Sequence, residues 1–160
     1  MDSKCNLTFN EAKLKLESWC AYQDRCTSEV ILKLKSFELS SDQEQKLIDY
    51  LTLNRFLDDQ RYADSIVSGK FSIKKWGRIK ITYFLKQKYI CKELISNSLS
   101  TLDEDVYYSV LLSLAEKKHE SLSLKNSYEK RAKVVTYLQS KGYELDLIID
   151  ALNEIKKDIY

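Results

Sequence analysis

Arg78-Ile79-Lys80-Ile81-Thr82-Tyr83-Phe84-Leu85-Lys86-Gln87-Lys88 decides the fold, because the chain writes it more than once. Laid on the sequence 53 positions further on, residues 78–99 meet residues 131–152 with seven identities in 22 positions. Arg78 meets Arg131, Lys80 meets Lys133, Leu85 meets Leu138 and Lys88 meets Lys141; Leu94, Ile95 and Leu99 meet Leu147, Ile148 and Leu152. Ile81 over Val134 and Phe84 over Tyr137 keep the apolar face. A fainter copy lies 51 positions upstream, where Val30 falls on Ile81 and Leu34 on Leu85. Any two amphipathic helices align on their apolar positions, but here basic residues coincide as well. Such a period marks small modules that bury their apolar faces by stacking.

Outward from this stretch the chain reads as helices. Three segments carry a hydroxyl followed three residues later by Glu, the pattern that caps a helix start: Thr8 to Glu11, Ser41 to Glu44 and Thr101 to Glu104. Apolar residues follow each at helical spacing: Ala12, Leu16, Trp19 and Cys20; Leu47, Ile48 and Leu51; Tyr107, Val110, Leu111 and Leu114. Asp58 and Asp59 suit the positive end of a fourth helix, with Tyr62, Ala63, Ile66 and Val67 as its buried stripe. Further helices are predicted from Gly77 (Ile81, Phe84 and Leu85 inward), over Lys92–Leu99, near Ser28–Leu34, and over 128–140 and 144–159 with a glycine stop at Gly142. With no proline and three glycines, 160 residues hold little helix punctuation. Helices of about ten residues are marginal alone in water, so these must pack together. The fold class predicted is all-α, three tandem three-helix repeats over 8–54, 55–100 and 101–160.

Formal net charge is only +2, but the charge is segregated. Between Ser65 and Lys92 there is no acid, while Lys70, Lys74, Lys75, Arg78, Lys80, Lys86 and Lys88 fall in that stretch. Glu38 to Asp59, and the tail with Glu144, Asp146, Asp150, Glu154 and Asp158, lean acidic. Arg78, Thr82 and Lys86 stand four apart on one helix face. Either this is a solvated face, or it meets phosphates or an acidic protein patch. Trp76 and Tyr83 among these charges are core aromatics or platforms for bases.

The sequence offers no phosphate loop and no dinucleotide fingerprint. Cys5, Cys20, Cys26 and Cys91 match no zinc spacing, and His119 is the only histidine, set among charged residues. No metal, cofactor or catalytic residue is expected, and an enzyme reading has little support. No apolar run is long enough to span a bilayer. The opening residues lack a secretory pattern, so a cytoplasmic location is expected.

The run Arg55-Phe56-Leu57-Asp58-Asp59-Gln60-Arg61-Tyr62-Ala63 resembles the signature of the RecX family of regulatory proteins. Gly77, Ile81, Leu85, Lys88 and Ile90 resemble that family's second motif, and Arg25, Glu29-Val30 and Lys33-Leu34 the motif of its first repeat. The chain departs from the pattern at Phe84, where the family usually has an acid, and at Tyr89, where it usually has glycine. The resemblance covers about residues 12–152. It implies three three-helix modules in a curved, elongated monomer that binds along the RecA–DNA filament and modulates, usually inhibits, strand exchange, ATP hydrolysis and co-protease activity in DNA repair and the SOS response. It implies a largely structural role for Leu57, Asp58, Asp59, Arg61, Tyr62, Ala63, Gly77, Ile81 and Leu85. It implies no catalytic residues. On this reading Lys74, Lys75, Arg78, Lys80, Lys86, Arg131 and Lys133 are the candidate contacts to RecA or to single- or double-stranded DNA. The rival expectations are a helix-turn-helix-like protein that binds DNA directly and an adaptor that meets only acidic or helical partners.

Overall fold

The structure, a computed structural model, describes residues 7–123 and 126–157, without the side chains of Lys156 and Lys157. Among the described residues there are nine helices and no strand: α1 (Phe9–Tyr22), α2 (Thr27–Leu34), α3 (Ser41–Leu53), α4 (Asp59–Ser72), α5 (Arg78–Gln87), α6 (Lys92–Leu99), α7 (Glu104–Glu120), α8 (Ser127–Lys141) and α9 (Leu145–Lys157). The fold is all-α, in triplets of helices. Cys5 and Asp158 lie outside the described residues.

The caps show how local chemistry sets these boundaries. Thr8 and Glu11 form the expected reciprocal capping box. The second box starts one residue earlier than predicted: Ser40 caps α3 and Gln43, not Glu44, reaches back. The third start moves from Thr101 to Asp103, whose carboxylate accepts from Val106 N–H at 2.9 Å. Thr101 is unavailable because its hydroxyl closes the turn after α6 on the carbonyl of Ser98 at 2.7 Å. At the other end of a helix, Gly142 takes φ +91° and ends α8.

Two buried apolar clusters follow. Leu16, Val30, Leu34, Leu47 and Leu51 join α1, α2 and α3. Tyr107, Leu111, Val134, Leu138 and Ile148 join α7, α8 and α9. Each such aliphatic residue contributes roughly 2 kcal/mol on burial, which is what holds helices of eight to 17 residues in place. Compactness divides the chain into two units, Met1–Ser65 with Leu85–Ile95, and Ile66–Phe84 with Ser96–Tyr160. The helices α4, α5 and α6 are shared between them, so the packing units and the sequence repeats have different boundaries.

In the second unit, the chain before α5 meets the chain after α8 at van der Waals limits. Gly77 N–H donates to the carbonyl of Lys141 at 2.9 Å, and Ile79 N–H to that of Gly142 at 3.0 Å. A methyl group on Gly77 would lie 2.3 Å from the Gly142 carbonyl oxygen, and one on Gly142 would lie 2.3 Å from Lys80 Cβ. The obstacle at Gly77 is backbone, which cannot swing away. Gly77→Ala should therefore lower unfolding free energy by about 2 kcal/mol or more, read from urea denaturation. Gly69→Ala, where nothing lies within 4 Å of the added methyl, should cost nothing and serves as the control.

Candidate docking surface

The Gly77–Gly142 approach is one of two related junctions, each inside one compact unit. In both, the N-terminus of a middle helix rests on the turn that ends the middle helix of the next triplet. The accepting turns match. The amide of Ile90 bonds back to the carbonyl of Leu85, and that of Tyr143 to Leu138, around left-handed residues Tyr89 and Gly142.

In the second unit, three successive N–H groups at the start of α5 are satisfied from outside the helix. Gly77 and Ile79 use the carbonyls at the end of α8, and Arg78 N–H donates to the Tyr107 hydroxyl at 2.9 Å. The positive end of one helix dipole thus faces the negative end of another. Tyr107 donates in turn to Glu144 at 2.7 Å. Burial holds its phenol well above the usual tyrosine range. The Arg78 guanidinium lies 4.0 Å from the centre of the Tyr107 ring and pairs with Glu104 at 2.7 Å and Glu144 at 3.6 Å.

In the first unit the corresponding junction is made by side chains. Asp59 accepts from Thr27 N–H at 2.7 Å, the Ser28 hydroxyl donates to the carbonyl of Lys88 at 2.8 Å, and Lys88 pairs with Glu29 at 2.7 Å. Tyr62 stands where Tyr107 stands, buried, with its hydroxyl 3.4 Å from Glu29. Asp58 caps α4 through the amides of Gln60 and Arg61. Arg61 bonds Asp24 at 2.7 Å and the carbonyls of Arg55 and Phe56. Leu57, Ala63, Ile81 and Leu85 are buried core residues. Glu104, Tyr107 and Glu144 did not stand out in the sequence as junction residues. The signal was present: a shift of 45 lays Asp58-Asp59 and Tyr62 on Asp103-Glu104 and Tyr107.

The seven candidate contact residues divide by how far the fold has already used them. Lys74, Lys75, Lys86 and Lys133 are exposed and have no ion pair among the described residues. Arg78 is engaged by two carboxylates, Lys80 donates to the carbonyl of Ser140 at 2.9 Å, and Arg131 bonds Asn153 at 3.1 Å. Lys74, Lys75 and Lys80 come together at the second junction, joined by Lys141, whose ammonium reaches the carbonyl of Lys74 at 3.4 Å. Trp76 is half-buried there with Lys70 and Lys80 at 5.0 and 4.8 Å from its ring, so its faces are occupied. Tyr83 is the aromatic that stays exposed. Arg131 and Lys133 lie toward the start of α8, and Lys86 in the last turn of α5. Among the described residues no cluster of His, Cys, Asp or Glu is arranged to hold a metal, and no helix is long and apolar enough to cross a membrane.

Family models described as the second and third three-helix domains of RecX match residues 58–99 and 105–152, together more than half of the chain. The chain is 38% identical over 125 residues to the regulatory protein RecX of Clostridium botulinum (strain Eklund 17B / Type B), and 35% identical over 114 residues to that of Clostridium tetani. These alignments take in 77% and 69% of this chain but 57% and 51% of the relatives, so the chain spans little more than half their length. A crystal structure of RecX from Lactobacillus salivarius superposes with a TM-score of 0.85 over 92% of this chain and 96% of that one, at 24% identity, and so has the same fold.

Two outcomes follow from the junction chemistry. Tyr107→Phe leaves the amide of Arg78 and the carboxylate of Glu144 short of a partner and should cost about 1–3 kcal/mol in denaturant melts. The carboxyl of Asp24 is held below its ordinary 3.8 by the Ser65 hydroxyl and then by Arg61. Its folded-state value lies below the unfolded one, so its contribution is complete above about pH 4 and is lost as pH falls through the lowered value. Melting temperature plotted against pH should fall less steeply below pH 4 in Asp24→Asn.

Proposed function

Because this chain belongs to the RecX family, we propose that it regulates recombination by docking on the RecA–DNA filament and lowering its strand-exchange, ATPase and co-protease activities. The observation that carries this reading is the set of lysines left unpaired on a repeat scaffold: Lys74, Lys75, Lys86 and Lys133. A charge that stabilises nothing internally is available to a partner. The filament offers what such charges attract, a regular polyanion sheathed in protein. Contacts linked through one folded chain reinforce each other by raising local concentration, so several weak attractions on successive modules are enough to hold it.

Direct reading of duplex DNA by α5 is the rival, and the second junction weighs against it. A recognition helix presents its N-terminal residues to base edges. In α5 that end is committed: Gly77 is buried, Arg78 is paired with Glu104 and Glu144, and the amide of Ile79 is bonded to Gly142. The filament reading needs no free helix end.

ATP hydrolysis by RecA on single-stranded DNA should decline as this chain is titrated in; a rate unchanged at saturating chain would refute the proposal. Charge reversal at Lys74, Lys75 and Lys133 together should weaken filament binding and flatten its dependence on salt, by about one unit of log–log slope for each phosphate contact removed. Arg78→Glu should behave differently, lowering the melting temperature, because it places a third carboxylate beside Glu104 and Glu144.

A further inference from the structure

The two junctions differ at the positions where the backbones meet. Gly77 and Gly142 let the second close on backbone hydrogen bonds. In the first, repeat alignment puts Cys26 where Gly77 stands and Tyr89 where Gly142 stands. Among the described residues no backbone-to-backbone hydrogen bond joins α2 to the turn after α5. An open groove of about 620 Å³ remains, walled by α2 on one side and by Gln87, Lys88 and Tyr89 on the other.

The walls are apolar where they are free. Helix α2 buries Val30 and Leu34, yet Ile31 is 41% and Leu32 70% exposed, and across the groove Tyr89 is 86% exposed. All three line it. The charges that line it are unevenly used. Glu29 is paired with Lys88, and Asp59 accepts from the amide of Thr27. Lys35 is exposed and without an ion pair among the described residues, so the uncompensated charge at the groove is positive.

We propose that this groove is a docking site for an apolar protein segment that carries a carboxylate, its apolar side chains against Ile31, Leu32 and Tyr89 and its acid on Lys35. The proposal rests on the filament reading and deepens it. The lysines near the second junction suit the polyanion, whereas the groove takes a piece of the RecA protein itself. Nucleic acid suits the groove poorly, because two branched aliphatic side chains give a phosphate nothing and two carboxylates stand in the lining.

The test is binding of the full chain to RecA-coated single-stranded DNA and, separately, to the same strand naked. Leu32→Asp puts charge on the apolar wall at an exposed position. Tyr89→Gly removes the ring at φ 59°, a left-handed conformation that glycine adopts more easily, so lost binding in this variant is not lost folding. Leu53→Asp, an equally exposed leucine outside the groove, is the control. Leu32→Asp and Tyr89→Gly should each weaken filament binding about tenfold or more, leave naked-strand binding unchanged, and differ in this from Leu53→Asp. If Leu32→Asp fails to fold, Tyr89→Gly decides. Filament binding by both at the strength of the unmutated chain overturns the groove and leaves the filament reading standing. Equal losses on the naked strand overturn the protein occupant in favour of nucleic acid. Failure of the unmutated chain to bind the filament overturns both.

Discussion

Gly77 and Gly142 touch through their backbones, and the amides that open α5 find their acceptors at the end of α8. Two helix termini that would each need capping cap one another, which removes unsatisfied groups from both and sets opposite partial charges face to face. The contact exists only because neither position has a side chain. Around it Tyr107, Arg78, Glu104 and Glu144 form a closed polar set, and Phe71 and Tyr143 stack on Tyr107 at 5.6 and 5.2 Å between ring centres. That set explains why a lone arginine in an acid-free stretch is not a free charge: its partners come from later in the chain.

The first unit meets the same task with different chemistry. With Cys26 and Tyr89 in place of the glycines, its backbones stay apart and side chains bridge them: Asp59 to Thr27, Ser28 to Lys88, Glu29 to Lys88. Hydrogen bonds and one ion pair replace backbone closure, and apolar residues that a tight contact would hide stay in water. A repeat protein can therefore use one junction as a fixed joint and its near-copy as a surface, with the choice made by two residues.

Much of this was legible in the sequence. Repetition at residues 78–99 and 131–152 gave the modular plan, and the apolar stripes such as Ile81 with Leu85 and Val134 with Leu138 gave the buried faces. Cap positions slipped by a residue or two where several hydroxyl and acidic side chains compete, as with Ser40 and Ser41, or Thr101 and Asp103. The charge pattern was the least faithful guide. A run of lysines and arginines says nothing about which are consumed by contacts 26 to 68 residues away, such as Arg78 on Glu104 or Lys80 on the carbonyl of Ser140. Exposure separated Lys74, Lys75, Lys86 and Lys133 from the rest, and only folding determines exposure. The groove beside α2 was equally hidden, since a left-handed tyrosine at 89 has no periodicity to betray it.

Hydrogen exchange of single backbone amides probes the glycine contact most directly. The amides of Gly77 and Ile79 precede the first helical hydrogen bonds of α5 and would exchange within seconds in a free helix N-terminus. Bonded to the carbonyls of Lys141 and Gly142, they should instead be protected to nearly the level of the core amides around Tyr107 and Leu138. Exchange at the rate of an open helix end, in chain whose core remains protected, would mean that α5 does not rest on α8 and that its first turn is free for another partner.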